Sequence, residues 1–385
     1  MRKTSTQKGI TLIALIITII ILLILAVVTI GSIKNSNIIT YAQNASTDYT
    51  AKKDEEESII SGYESLLESA LEDKSITISE AQSKGVISNT STTRVKDEYG
   101  NIVKLPAGFK ITTDSNNVTE GIVIEDCTET ATKGSQFVWI PVGTVYTNTT
   151  KTESKVIELN RYTFDEEGNQ IKQNTNKIDD YFEYEELENS KYGNTTAKDL
   201  SGFISSAKSN GGYYIGRYEA GTETARTSVE NEHTQLVVKP NMNVYNYITQ
   251  AAASVLSQRM YNYNKQTNVT SDLVNSYAWD TAIVFIQTFS TDKNYSNANY
   301  SESSFTLTGA NKDEYCRIND MSGNVMELST ESANSHTTSE CTVVYRGGTF
   351  TKMGNVPSGN TSSREISFHT SGVGETLSFR TILYL

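Results

Sequence analysis

The chain has 385 residues, with 33 Lys and Arg against 45 Asp and Glu, a formal net charge of -12 and a pI near 4.9. That balance opposes any general affinity for nucleic acid or anionic headgroups, and no basic cluster relieves it. Three cysteines, Cys127, Cys316 and Cys341, allow at most one internal disulfide and exclude a disulfide-stapled scaffold; a Cys316–Cys341 bridge and buried free thiols are the alternatives, and free thiols are the expectation.

The first predicted element is apolar. From Ile10 to Ile30 the sequence holds 21 residues without a charge, enough at about 1.5 Å per residue to cross a hydrocarbon core of roughly 30 Å. Arg2, Lys3 and Lys8 precede it, so the N-terminus is expected on the cytoplasmic side and the rest of the chain outside. The leader ending in Lys8-Gly9, followed by Ile10-Thr11-Leu12-Ile13-Ala14-Leu15, resembles the N-terminus of type IV prepilins and pseudopilins. The resemblance implies cleavage between Gly9 and Ile10 by a prepilin peptidase, N-methylation of Ile10, and pilin-like subunits as partners. The family usually has glutamate where this chain has Ala14, a residue thought to align subunits in a filament. A helical stripe of Ala42, Ala45, Tyr49, Ile59, Tyr63, Leu66, Leu67, Ala70 and Leu71 extends the helix to residue 72 as a stalk.

After Asp73 the pattern changes to short β segments with turn punctuation. Thr93–Val103 and Tyr162–Ile171 each read as strand, turn, strand, with Asp and Gly-Asn supplying the turn conformations. The first belongs to a connector over 73–104; residues 144–197, rich in Thr, Asn and Glu, read as a surface excursion. Then come, in order, Phe137-Val138-Trp139-Ile140-Pro141, Gly212–Gly221 with its Tyr218-Glu219, a helix from about Ile248 to Tyr261, Gly323-Asn324-Val325-Met326-Glu327, Arg346-Gly347-Gly348 and Phe379-Arg380.

This ordered set resembles the formylglycine-generating enzyme family, or sulfatase-modifying factor domains, over about 105–385. It implies an α+β protein: a long N-terminal transmembrane and stalk helix followed by an elaborated C-type-lectin-like head. Glycines 323, 347 and 348 are expected to permit backbone geometry closed to other residues, and Arg346 and Arg380 to tie several carbonyls or a carboxylate. The catalytic members carry a copper-binding cysteine pair between Arg-Gly-Gly and the terminal Phe-Arg, where residues 351–380 here have none, so no copper is expected. The resemblance also implies calcium held by Gly323, Val325 and Glu327; the alternative for Glu327 is a structural hydrogen-bond acceptor.

No catalytic constellation is present: His233, His336 and His369 are isolated, and the carboxylate runs 54–57 and 183–186 read as solvated faces. The Tyr/Asn-rich stretches Tyr261–Lys265 and Asn294–Ser301 read as binding loops, with Tyr261, Tyr263, Tyr295 and Tyr300 as exposed contact residues, and residues 351–370 as a third candidate. The expected function is that of a membrane-anchored, externally displayed pilin-like protein. Its non-enzymatic lectin-like head would bind an extracellular glycan or protein. The alternatives are a minor pilin or pseudopilin of a pilus or secretion apparatus, and a formylglycine-generating oxidase.

Overall fold

The computed structural model describes residues 19, 22, 52, 74–173, 182–186, 199–229, 235–300, 304–310, 313–335, 341–350, 352–353, 356–357, 359–367 and 374–385. The chain divides into two units, Met1–Asp73 and Lys74–Leu385. Gly9, Ile10 and nearly all of the expected 10–72 helix lie outside the described residues.

No helix among the described residues is long and apolar enough to cross a membrane. Among the described residues four helices occupy the second unit: α1 (Ile78–Lys84), α2 (Leu200–Asn210), α3 (Gln250–Tyr261) and α4 (Ser276–Phe289). Even α4, with 14 residues, reaches only about 21 Å, short of the roughly 30 Å of a bilayer core. The expected fold class is corrected accordingly: the described chain is mainly β with four short helices, in place of an α+β protein carried by a transmembrane and stalk helix. The membrane and transmembrane assignments are corrected with it, as is the single-pass cell-membrane location with an extracellular head.

Eleven strands build the two larger sheets: β1 (Phe109–Ile111), β2 (Val123–Asp126), β3 (Gln136–Pro141), β4 (Phe182–Glu186), β5 (Gly212–Gly216), β6 (Thr270–Leu273), β7 (Met326–Ser335), β8 (Cys341–Arg346), β9 (Arg364–Ser367), β10 (Leu377–Phe379) and β11 (Thr381–Tyr384). One sheet is six-stranded and antiparallel throughout, in the order β6-β11-β5-β3-β2-β1. The other runs β4-β7-β8-β9, with β10 parallel to the start of β7.

The six-stranded sheet separates two cores. Side chains of successive strand residues point to opposite faces, and the apolar runs read accordingly. Phe137, Trp139, Tyr214 and Leu383 enter one core with Phe109, Val284 and Leu328; Val138, Ile140, Tyr213, Ile215 and Ile382 enter the other with Phe203, Trp279 and Phe285. Both faces are covered, so β3, β5 and β11 carry continuous apolar sequence where a half-exposed strand would alternate. Helix α4 is buried along most of its length and starts at Asn275, whose side chain accepts from the Ala278 N–H at 2.9 Å.

Both turn motifs form the hairpins their sequences suggest. Asp97 accepts from the N–H groups of Tyr99 and Asn101, and Asp165 accepts from those of Glu167 and Asn169. Gly100 and Gly168 both sit at φ +83°, in the left-handed region glycine enters without a Cβ penalty. The segment read as a connector contributes Ile78, Ala81, Val95 and Val103 to the same core as Phe109 and Phe137, within the second unit.

Candidate functional site

Three features of the described domain concentrate chemistry: a groove at the end of α3, a buried ion pair beneath the 323–327 turn, and a buried cluster of arginines and acids.

The groove is built by the end of α3 and the turn that follows it. Thr249 caps α3, accepting from the Ala252 N–H, and Met260 and Tyr261 bury its last turn. Tyr261 is 1% exposed: its hydroxyl donates to Asp126 at 2.8 Å, and its ring packs against Phe109 and Phe137 at 5.5 and 5.9 Å. The turn is then pinned by side chains. The Asn264 N–H donates to the Tyr261 carbonyl at 2.8 Å, Asn264 Oδ1 accepts from the Gln266 N–H, and Gln266 accepts from the Glu129 N–H. Held this way, Tyr263 projects outward and is 80% exposed. Beside it lies a groove of about 500 Å³, with Leu236, Leu256 and Met260 among its lining and Arg259 and Lys265 at its polar edge.

The four tyrosines expected to form one exposed surface therefore separate. Tyr263 alone is widely exposed. Tyr295 is fully buried, its hydroxyl donating to Asp313 at 2.9 Å and its ring 4.8 Å from that of Tyr315. Tyr300 is half-buried, with its hydroxyl 2.7 Å from that of Tyr315. The expectation of exposed rings at Tyr261 and Tyr295 is corrected: each polar neighbourhood in sequence conceals a ring whose hydroxyl meets a buried carboxylate. The third candidate, 351–370, lies partly outside the described residues. His233, His336 and His369 also lie outside them.

The residues implied for calcium lie close together, with Gly323 bridged to Tyr300 and Val325 and Glu327 buried. Glu327 nevertheless accepts from Arg380 on both carboxylate oxygens, at 2.8 and 2.5 Å. Arg380 also donates to the carbonyls of Gly216 and Asn319, each at 2.8 Å. A hard cation needs six to eight oxygens, and Glu327 has both of its own committed to a guanidinium. Among the described residues no group of three or more His, Cys, Asp or Glu is placed to hold a metal ion. The geometry at Glu327 is that of the structural acceptor.

Two further acids share this interior. Glu219 accepts from Asn324 through Oε1, and Asp320 accepts from the Gly309 N–H at 2.6 Å through Oδ2. Glu219 Oε2 and Asp320 Oδ1 have no partner among the described residues. Burial and mutual repulsion push the Glu219 carboxyl well above the ordinary range, and burial raises Asp320 to about 7.

The third feature joins residues far apart in sequence. Glu331 accepts from Arg161 at 2.9 Å, from Arg346 at 3.0 Å and from Arg364 at 3.0 Å. Asp280 pairs with Arg346 and, at 2.5 Å, with Arg364. Burial alone would raise the Glu331 carboxyl, but the Arg364, Arg346 and Arg161 guanidiniums hold it at about 2. Arg346 thus ties two carboxylates, against the several carbonyls or one carboxylate expected of it. Gly347 sits at φ +83°, where an added Cβ would come within 2.6 Å of the Met321 carbonyl.

No protein-family model matches the chain, and no curated protein matches it. Among solved structures, the crystal structure of CarF is similar over 30% of this chain and 48% of that one, at 19% sequence identity and a TM-score of 0.22. A likeness of that size carries no argument about fold or activity, and it bears on neither the prepilin resemblance nor the formylglycine-generating one.

Cys127 and Cys316 are free, so Cys316 does not bridge to Cys341. Burial pushes the Cys316 thiol up to about 12, which leaves it a poor nucleophile and a poor soft-metal ligand. Glu327, Asp280 and Glu331 are all engaged in buried ion pairs. The groove beside Tyr263 is where accessible aromatic, apolar and cationic groups meet.

Proposed function

We propose that the domain over 74–385 is a non-catalytic binding module that holds a partner in the groove beside Tyr263. The observation that carries this reading is an exposed aromatic ring on a turn pinned by side-chain hydrogen bonds, next to an apolar floor. A turn whose backbone is held in place before contact loses little entropy on binding, and tyrosine gives large contact area with only two side-chain torsions. The floor residues Leu236 and Met260 are 3% and 8% exposed, so the groove has a packed base.

The test separates contact from core. Tyr263→Ala should weaken binding of a partner captured on the full chain by about 1 to 4 kcal/mol, the range of a contact hot spot. Its melting temperature should stay within a degree or two of the parent, because an exposed ring contributes little burial. Tyr295→Ala should instead cost about 3 kcal/mol of stability, since it empties a closed site and strands Asp313. Unchanged affinity in Tyr263→Ala would refute the reading; an early melt in that variant would show the ring to be packing.

A further inference from the structure

The polar edge of the groove says what chemistry suits it. Arg259 and Lys265 are exposed, and among the described residues neither forms an ion pair, on a chain whose net charge is -12. Three described acids on adjoining elements have partners of their own. Glu129 pairs with Lys133 at 2.7 Å, Asp126 accepts from Tyr261 and Thr132, and Asp272 accepts from Gln258. Arg259 lies in the last turn of α3, where a cation also suits the helix dipole. Lys265 lies beyond the helix and has no such reason to be there. Two cations with no ion-pair partner among the described residues therefore face a groove whose base is apolar and whose rim carries Tyr263 and the amides of Gln235 and Gln266.

Resting on the reading that this groove binds a partner, we infer that its occupant is an acidic peptide segment in which Asp or Glu residues flank an aliphatic or aromatic one. The carboxylates meet Arg259 and Lys265, the apolar side chain covers the half-buried Leu256 above Leu236 and Met260, and Tyr263 packs across the peptide. A bare inorganic anion would leave the apolar base and the exposed ring unused. A volume of about 500 Å³ lies within the usual range for ligand sites. The chain's net charge of -12 disfavours acidic segments at large while Arg259 and Lys265 attract them locally, so the same pair of side chains supplies affinity and register.

The experiment uses the full 385-residue chain, immobilised and panned with phage-displayed random heptapeptides, with Tyr263→Ala protein as the counter-selection. Peptides enriched on the parent should carry at least two Asp or Glu residues around an aliphatic or aromatic one. A synthetic winner should bind about tenfold more weakly to the Arg259→Gln/Lys265→Gln double variant, and more weakly as salt rises. Both substituted side chains are exposed, and an unchanged melting curve confirms the fold. Enrichment of neutral or basic peptides, still dependent on Tyr263, would overturn the acidic chemistry while leaving the groove a binding site. Enrichment independent of Tyr263, or none, would overturn both. Competition by inorganic phosphate at a concentration that chloride does not match would assign the cations to a small anion and overturn the peptide.

Discussion

Glu331→Gln should lower the stability of the domain by about 5 kcal/mol in denaturant titrations, the largest loss expected from any single conservative change here. The substitution keeps the side chain's shape and removes its charge. Asp280 would then be left to Arg346 and Arg364, and Arg161 would lose its ion pair with Glu331, in an interior where Glu331, Asp280 and Arg346 are fully buried and the other two arginines nearly so. Taking a charge out of water without compensation is what makes such losses large. Adding Arg161→Met to Glu331→Gln should recover part of the loss, because it removes a buried cation that has lost its Glu331 carboxylate, and a double-mutant cycle reads that coupling directly. A loss below about 1 kcal/mol for Glu331→Gln would mean that the cluster is solvated and that its ion pairs count for little.

The second large effect is on pH. Asp320 is raised from 3.8 to about 7, and Glu219 is raised well above 4.5, first by burial and then by Asp320. Between the unfolded and folded values the native state holds a proton that the unfolded chain has released, so stability falls as pH rises through that window. Asp313 and Glu327, also raised by burial, act in the same direction. Glu331 acts oppositely: its contribution is complete above 4.5 and is lost as pH falls toward 2. The melting temperature should therefore peak between about pH 4 and 5 and decline toward pH 8. The loss attributable to Asp320 is about 4 kcal/mol at most, from roughly 1.4 kcal/mol per pH unit. The Glu219→Gln/Asp320→Asn variant should show a flatter slope from pH 5 to 8, and asparagine suits the φ of +66° at position 320. A parent curve flat across that range would show that both acids reach water.

How much of this was legible in the sequence depends on the range of the interaction. The hairpins at Asp97–Gly100 and Asp165–Gly168 are local chemistry, an acid accepting from backbone N–H groups two and four residues on, and they can be read directly. The apolar runs of β3 and β5 likewise announced buried strands. Tyr261 and Tyr295 misled because their neighbours in sequence are Asn, Ser and Lys, while the groups that bury them, Asp126 and Asp313, come from elsewhere in the chain. The Arg161–Asp280–Glu331–Arg346–Arg364 cluster was legible only at Arg346, expected to tie a carboxylate; Arg161, Asp280, Glu331 and Arg364 look like ordinary surface charge until the fold collects them. The groove was half legible. Tyr263 and Lys265 were singled out by composition, but Leu236 and the turn at Thr130–Thr132 reach them only through tertiary packing.

The place of β11 in the six-stranded sheet bears on how the protein is made. Thr381–Tyr384 lies between β5 and β6, strands that emerge from the ribosome much earlier. Until β11 arrives, the facing edges of Gly212–Gly216 and Thr270–Leu273 present open backbone donors and acceptors beside apolar side chains. Such edges pair readily with other nascent chains. Sheet closure is thus a late event of high sequence separation, and therefore a slow one. Yield in a cell would then be set by how long chaperones shield that gap, and slowing translation ahead of residue 381 would lengthen the hazardous interval.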